Sequence, residues 1–195
     1  MAGSQSIETD LLFLLYNDIR TVYRLNDIAM LLGETNFESL NKRLNYLVRT
    51  GKLKNPRMGI YAKTAFSLDE LACRIYTPSY ISLEYVLQKT GVIFQYNSQI
   101  SSISYLSRTI DIEGNNFVYR KIKGDVLVVT SGVNRMANGV NIATAERAFL
   151  DMLYLDANYY FDNLNPLNKE LVFSLLPIYK SKRLSQRVTK LLQND

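Results

Sequence analysis

Apolar residues recur at helical spacing between residues 35 and 51, and this stretch organises the N-terminal part of the chain. The apolar positions are Phe37, Leu40, Leu44, Leu47 and Val48. They fall on one stripe of a helix, which is typical of a face that packs on a core. Asn36 is a favoured N-cap residue and Gly51 is a favoured residue just past a helix end. The pattern therefore predicts a helix over residues 37–50.

The segments on either side of this helix complete a known arrangement. A short apolar helix is predicted over residues 27–32, and a tight turn follows at residues 33–35, which is the spacing of a helix-turn-helix. Two strand-like pieces at residues 52–54 and 60–63 flank residues 55–59 and predict a β-hairpin. Helix, turn, helix and hairpin together indicate a winged helix-turn-helix. In that arrangement the second helix enters the major groove of DNA.

The polar face of the second helix and the hairpin hold the candidate DNA-binding residues. Residues 35–63 contain seven cations and one anion, whereas the whole chain of 195 residues has a net charge of +5. Clustered positive charge supplies the sequence-independent part of DNA affinity. The predicted DNA-binding residues are Thr35, Asn36, Glu38, Ser39, Lys42, Asn45, Tyr46, Arg49, Lys54, Arg57 and Lys63. The alternative is that this face is solvated in a protein-interaction module.

The remaining N-terminal elements follow from the same periodicity. A first helix is predicted over residues 6–20, with Ser6 as its N-cap. Its predicted inward-facing residues are Ile7, Leu11, Leu14, Leu15 and Ile19. Residues 23–25 are predicted to be extended and to pair with the hairpin. A connecting helix over residues 64–76 is predicted to bury Cys73, because free cysteine is among the most buried residue types.

The C-terminal part of the chain alternates helical and strand-like segments. The predicted helices cover residues 82–89 and 144–155, a segment that opens at Asn165 and Pro166, and residues 180–193. Ser82 and Thr144 are the predicted N-cap residues of the first two. The predicted strands cover residues 100–107, 109–112, 117–122 and 126–130. Residues 113–116 predict a hairpin turn, so a small antiparallel sheet is expected.

These elements predict two domains and an α+β fold class. The domain boundary is placed close to residue 66, where no segment rich in glycine and serine marks a linker. Residues 1–66 are predicted to form the winged helix-turn-helix DNA-binding domain. Residues 67–195 are predicted to form a mixed domain of helices and an antiparallel sheet.

Composition narrows the classes of function. The chain is 47% hydrophobic and 21% charged, which is ordinary for a globular protein. It has no apolar run long enough to cross a membrane and no secretory signal, so a cytoplasmic protein is expected. Histidine is absent, which removes the usual zinc-finger ligands and the Ser-His-Asp triad. No P-loop is present either. We expect no metal, no cofactor and no enzymatic activity.

Two segments of the C-terminal part carry a family resemblance. Residues 77–91, TPSYISLEYVLQKTG, are similar to a segment of the AbiEi antitoxins that has a proline, Tyr-Ile-Ser-Leu, a helix and a glycine. Residues 142–151, IATAERAFLD, resemble that family's later Ala-Thr-Pro-Glu-Arg-Ala segment, with Ala145 in place of the usual proline. Proline at the first helical position only presets a helical φ angle, so this departure matters little.

The resemblance implies a function in two parts. AbiEi proteins are antitoxins of bacterial type IV toxin-antitoxin systems, linked to abortive infection by phage. Their N-terminal domain represses the operon and their C-terminal domain counters a nucleotidyltransferase-like toxin. The implied partners are double-stranded DNA of the protein's own promoter, expected to carry inverted repeats, and the cognate toxin, countered directly or indirectly. No membrane partner is expected.

Two interpretations stay open from the sequence. One is the antitoxin, with the basic C-terminal helix as the surface for toxin neutralisation through Lys182, Arg183 and Arg187. The other is a stand-alone winged-helix transcriptional regulator whose second domain senses a ligand or mediates assembly. A run of cations is also typical of a solvated helix face, so the role of the basic helix stays open as well.

Overall fold

The computed structural model of the chain describes the backbone of residues 2–193 and the side chains of residues 10–193. Helices and sheets are both present, in agreement with the predicted α+β class. The chain divides into two compact units. The first unit contains the residues up to Ile75 together with Ala137–Gly139, and the second contains Tyr76–Met136 and the residues from Val140 onward.

The first unit combines helices with one small sheet. Its elements are α1 (Ala2–Asn17), β1 (Val22–Arg24), α2 (Leu25–Leu32), α3 (Phe37–Arg49), β2 (Lys54–Arg57), β3 (Ile60–Ala62) and α4 (Leu68–Ile75). The strands are antiparallel in the order β1-β3-β2. Tyr23 lies opposite Tyr61 across β1 and β3. The predicted pairing of residues 23–25 with the hairpin is therefore confirmed, except that Leu25 already begins α2.

Helix α3 has nearly the predicted bounds and the predicted N-cap. The side chain of Asn36 accepts a hydrogen bond from the backbone N–H of Ser39 at 3.0 Å, and so satisfies one free donor of the helix start. The three leucines of the predicted stripe are fully buried, whereas Phe37 is 46% exposed. The prediction that Phe37 faces the core is wrong. Helical side chains lean toward the N-terminus, so a first-turn residue covers the preceding turn rather than the core.

Helix α1 begins earlier than the sequence pattern predicts. Its first residue is Ala2, so Ser6 lies inside the helix and is not its N-cap. The predicted inward position Ile7 lies outside the side chains that the structure describes. Residues 2–5 are small or polar and have no hydrophobic periodicity, so the sequence pattern predicts no helix there.

Only part of the predicted inner face of α1 is buried. Leu11 and Leu15 are buried, as predicted, while Leu14 is 45% exposed and Ile19 is 65% exposed. The helix ends at Asn17, so Ile19 no longer follows the helical period. Leu14 adjoins Leu15 in sequence and therefore points about 100° away from it around the helix axis.

A buried carboxylate ties α4 to the sheet of the first unit. Glu70 is only 3% exposed, and its Oε2 atom accepts hydrogen bonds from the backbone N–H groups of Thr21 and Val22 at 2.6 and 3.0 Å. Cys73, on the same helix, is buried as predicted. The compact units divide after Ile75, so α4 belongs to the first of them, whereas the sequence placed the boundary near residue 66.

The second unit contains the remaining elements. They are β4 (Ser79–Ile81), α5 (Leu83–Lys89), β5 (Ile100–Ser104), β6 (Arg108–Ile112), β7 (Asn115–Lys121), α6 (Gly124–Leu127), β8 (Val133–Arg135), β9 (Asn141–Ala143), α7 (Ala145–Leu155), α8 (Lys169–Leu175), a 3-10 turn (Leu176–Tyr179) and α9 (Lys182–Gln193). The predicted strand at residues 126–130 is wrong, because α6 covers its first part. Strands β4, β8 and β9 were not predicted.

The sheet of the second unit is mixed rather than antiparallel. Its six strands lie in the order β6-β7-β5-β4-β9-β8. Strands β5 and β7 are parallel, and so are β4 and β9, whereas the other neighbours are antiparallel. The prediction of an antiparallel sheet is wrong for these two pairs. Parallel neighbours need a crossover connection, so Ile81 pairs with Ile142 far along the chain, and local patterning gives no sign of it.

A polar residue precedes each of the helices α5, α7 and α8, and only two of these three residues cap their helix. Thr144 caps α7 as predicted, because its side chain accepts a hydrogen bond from the backbone in the first turn. Ser82 precedes α5, but its hydroxyl donates to Asp151 at 2.9 Å and does not cap the helix. Helix α8 starts after Asn168, which is its cap, rather than at Pro166.

Candidate nucleic-acid interface and buried polar cluster

The predicted DNA-binding residues of α3 and of the two positions before it form one exposed surface, called the α3 surface below. The residues that belong to it are Thr35, Asn36, Glu38, Ser39, Lys42, Asn45, Tyr46 and Arg49. Helical positions three and four apart are neighbours on one face, and the buried leucines of α3 occupy the opposite face. The structure therefore brings these polar groups together, and it directs them outward from the core of the first unit.

Two pairs organise the charges on this α3 surface. Lys42 Nζ lies 2.6 Å from Glu38 Oε1, and both side chains are largely exposed. An exposed pair of this kind contributes little to stability, so Lys42 can exchange it for another anion at small cost. The guanidinium of Arg49 lies over the ring of Tyr46, 5.6 Å from its centroid. This contact orients the guanidinium along the helix face.

The turn between α2 and α3 is fixed by Glu34, which is not among the predicted site residues. Glu34 Oε1 accepts from the backbone N–H of Asn36 at 2.9 Å, and Oε2 lies 3.6 Å from Arg43 Nη1. Gly33 ends α2 with a φ of 62°, a left-handed conformation that favours glycine. These contacts set the direction in which α3 leaves the turn.

The side chain of Asn55 stabilises the tip of the hairpin through hydrogen bonds. Asn55 Nδ2 donates to the carbonyl oxygens of Arg57 at 2.9 Å and Ile60 at 2.7 Å, and so links the two arms of the tip. Lys54 and Arg57, both predicted to contact DNA, are half-buried. The ammonium of Lys54 lies 5.2 Å from the centroid of the Phe66 ring. Both cations therefore belong to an ordered hairpin.

Lys63 differs from the other predicted cations. Its Nζ atom donates to the backbone oxygen of Asp18 at 2.7 Å and to that of Tyr16 at 3.4 Å. These oxygens lie at the C-terminal end of α1, where carbonyl groups lack helical partners and attract a cation. The ammonium of Lys63 thus stabilises this helix end. Its contact with DNA stays a prediction.

The second unit contains a buried polar cluster centred on Arg147 and Asp151. Both side chains are fully buried, and Arg147 Nε lies 3.3 Å from Asp151 Oδ1. Arg147 Nη2 donates to the Tyr80 hydroxyl at 2.8 Å and to the carbonyl oxygen of Val126 at 2.9 Å. Arg147 Nη1 donates to the carbonyl oxygen of Ser131 at 3.0 Å. A guanidinium can be buried in this way because all its donors face acceptors.

The Asp151 carboxylate receives hydrogen bonds from three hydroxyl groups as well. The donors are Tyr80, Ser82 and Tyr179, at 3.0, 2.9 and 2.7 Å. Burial raises the pKa of Asp151, and the charge of Arg147 opposes that shift. Burial, followed by the charge of Asp151, raises the pKa of both tyrosines above the ordinary value. The tyrosine hydroxyls therefore keep their protons and remain donors.

The buried cluster unites the two segments on which the family resemblance rests. Tyr80 and Ser82 come from the first segment, and Arg147 and Asp151 come from the second. The sequence pattern predicts no contact between them, because the segments lie about 70 residues apart in the chain. Tyr179 is not among the predicted site residues. Its partner Asp151 lies 28 residues away, and nothing in the neighbouring sequence indicates the contact.

The basic surface of α9 is placed as the sequence predicts. Lys182 and Arg183 are exposed. Arg187 is half-buried, and its Nη1 atom donates to the backbone oxygen of Leu153 at 3.4 Å. The opposite side of α9 is buried through Leu184, Val188 and Leu192. Of the three cations proposed for toxin neutralisation, Lys182 and Arg183 are therefore more accessible than Arg187.

Comparisons with known proteins assign the chain to no family. No family model matches the chain, and no curated protein sequence matches it. Among residues 2–193, no helix has both the length and the apolar character to span a bilayer. Among the side chains of residues 10–193, no group of three or more His, Cys, Asp or Glu residues is placed to hold a metal ion.

Proposed function

We propose that the chain represses its own operon by binding promoter DNA and serves as the antitoxin of a type IV toxin-antitoxin system. It would act by binding rather than by catalysis. The element order α1-β1-α2-α3-β2-β3, with its sheet order β1-β3-β2, matches what is expected of a winged helix-turn-helix. The observation that carries the proposal is the exposed polar face of α3, which is the surface that would read the major groove.

The side chains on α3 suit the base edges of DNA. Arg49 has the planar fork of donors that pairs with guanine, and Asn45 has the amide that pairs with adenine. Glu38 offers an acceptor for the amino group of cytosine once Lys42 turns to a phosphate. Lys54 and Arg57 in the ordered hairpin would position the protein on phosphates and carry little sequence information.

Replacing Arg49 by alanine is expected to weaken binding to the upstream DNA of the operon by about 1–3 kcal/mol. Arg49 is exposed and oriented by Tyr46, so its loss removes a base contact without disturbing the core. A gel-shift titration at fixed salt measures the change. Lys42→Ala should weaken binding too, through the loss of a phosphate or base contact.

Arg108→Ala is the matched control for this experiment. Arg108 is an exposed arginine on β6 of the second unit, so its removal takes away the same charge without touching α3. The control variant should bind as the wild type does. If Arg49→Ala and Lys42→Ala both bind as tightly as the control, α3 is not the reading helix.

The antitoxin part of the proposal rests on the second unit. The two segments that resemble AbiEi antitoxins meet at one carboxylate, Asp151, so they form a single structural feature. Two segments that lie far apart in the chain but contact each other in the fold are expected to occur together in a protein family, because the fold requires both segments. The surface proposed to act on the toxin remains the one formed by Lys182, Arg183 and Arg187 on α9.

Charge reversal on α9 is expected to abolish rescue of cells that express the neighbouring toxin. The variant changes Lys182, Arg183 and Arg187 to glutamate in the full chain, and circular dichroism verifies its fold. The double variant Lys42→Ala and Arg49→Ala is the control, because it should lose repression and keep rescue. Unchanged rescue in the α9 variant would leave this face as solvated surface, and lost rescue in the control would contradict a division between the units.

A stand-alone transcriptional regulator is the second candidate function. The observation in its favour is a cavity of about 780 Å³ in the second unit, which is the size of a small-molecule site. The two candidates differ in genetic context. A nucleotidyltransferase-like gene next to this one supports the antitoxin, and its absence supports the regulator.

A further inference from the structure

The cavity of the second unit opens between the loop that follows α7 and the helix α9. Its volume of about 780 Å³ lies within the range of ligand sites. The residues that line it include Leu153, Tyr159, Tyr160, Phe161, Arg187 and Lys190. Neither the α3 surface nor the buried polar cluster contributes a side chain to it. The two walls of the cavity have different chemistry.

The α9 wall of the cavity is cationic. Arg187 and Lys190 are three positions apart, so they lie on the same face of the helix. Arg187 Nη1 donates to the backbone oxygen of Leu153 at 3.4 Å, which holds the guanidinium at the cavity wall. The side chain of Lys190 is exposed. Two cations at one wall favour an anionic group with several oxygens, such as a phosphate.

The loop that follows α7 lines the cavity with aromatic rings. The Phe161 ring lies 4.8 Å from that of the buried Phe149 and 5.1 Å from that of Tyr159, between ring centroids. This group of rings is thus anchored in the core and reaches the surface. Tyr160 extends from the same loop and is 78% exposed. Exposed rings on a fixed support bind flat aromatic groups by stacking.

The loop that carries these rings is held in place. The backbone N–H of Asp162 donates to the Val92 oxygen at 3.1 Å, and its Oδ2 atom accepts from the Phe94 N–H at 2.8 Å. Burial and then nearby carboxylates, Asp162 among them, raise the pKa of Tyr159. Carboxylates therefore lie near Tyr159, whereas Arg187 and Lys190, the cations that line the cavity, lie on α9.

We propose that this cavity binds a nucleoside monophosphate. The phosphate lies against Arg187 and Lys190, and the base stacks on the ring of Tyr160. Cations and aromatic rings that line one cavity match the two ends of such a ligand. A preformed site also avoids the loss of entropy that ordering a loop would bring. The proposal does not depend on DNA binding or on toxin neutralisation.

Calorimetric titration of the full chain with AMP tests the proposal, with inorganic phosphate and adenosine as probes of the two halves. AMP should bind at one site at least about tenfold more tightly than either half alone. Lys190→Glu and Tyr160→Ala should each weaken AMP binding by about tenfold or more, since a charge-assisted contact or a stacking contact is lost. Both residues are exposed, so the variants should fold, and circular dichroism verifies this.

Lys182→Glu is the matched control, because Lys182 is an exposed lysine of the same helix that does not line the cavity. It should bind AMP as the wild type does, which supports the assigned wall. Three results overturn the proposal: no AMP binding at millimolar concentration, binding no tighter than that of phosphate, or equal losses in Lys182→Glu and Lys190→Glu. Binding of a single-stranded oligonucleotide without binding of AMP overturns it as well.

Discussion

Replacing Arg147 by methionine is expected to destabilise the second unit by about 3–5 kcal/mol. The guanidinium is fully buried, and it is the one cationic partner that the structure gives the Asp151 carboxylate among the described residues. Its removal leaves a buried negative charge without compensation. The carbonyl oxygens of Val126 and Ser131 lose their donor as well, which adds the desolvation cost of unpaired acceptors.

Urea unfolding of the full chain measures this loss, and a second substitution tests its cause. Asp151→Asn in the Arg147→Met background removes the uncompensated charge while nearly keeping the shape of the side chain. The double variant should therefore be more stable than Arg147→Met alone. Arg183→Met is the matched control, because Arg183 is exposed, and it should change the free energy of unfolding by no more than about 0.5 kcal/mol.

The size of the effect separates a structural ion pair from a dispensable one. A loss below about 1 kcal/mol for Arg147→Met would mean that water or a rearranged side chain replaces the guanidinium. A double variant no more stable than the single one would mean that the shape of Arg147, rather than its charge, supports the fold. Either outcome contradicts the role assigned to the buried polar cluster.

The second unit is expected to lose stability steeply above pH 10. Burial raises the pKa of Tyr80 and Tyr179 in the folded state, whereas a tyrosine in the unfolded chain titrates near pH 10. Above pH 10 the unfolded chain has released protons that the folded chain still binds, so the free energy of unfolding falls as the pH rises. Each of the two residues contributes about 1.4 kcal/mol per pH unit to this fall. Below pH 10 their contribution is fully present.

Tyr179→Phe is the variant that tests this pH dependence. It removes one of the two titrating groups, so the slope of unfolding free energy against pH between 10 and 12 should become less steep by about 1.4 kcal/mol per pH unit. Its stability at neutral pH should also fall, because Asp151 loses a donor. Tyr96→Phe removes an 81% exposed tyrosine and should leave the slope unchanged. Equal slopes in all three proteins would show that Tyr179 ionises freely in the folded state.

The sequence by itself determined the local features of this protein. Asn36 and Thr144 are helix caps in the structure because a cap depends on residues within one turn. The leucine stripe of α3 is buried because helical periodicity fixes which residues share a face. The outward polar face of α3 follows from the same geometry, so the residues proposed to read DNA could be named before the fold was known.

Local patterning failed where side chains bond across long distances. Residues 126–130 are rich in valine, a residue that favours strands, so the sequence predicts a strand there. In the fold, the guanidinium of Arg147 donates hydrogen bonds to the carbonyl oxygens of Val126 and Val129. Helix α6 covers the start of the segment. The sequence also predicts Ser82 as a helix cap, but its hydroxyl donates a hydrogen bond to Asp151 instead.

Only the tertiary structure decided the strand pairing, the buried polar cluster and the cavity of the second unit. The parallel pairs β5·β7 and β4·β9 and the meeting of Tyr80, Arg147 and Tyr179 at Asp151 join residues that are far apart in the chain. The cavity between the aromatic loop and α9 likewise exists only when both are packed on the same core. Such contacts depend on which segments bury one another, and the period of a single segment contains no information about its partner.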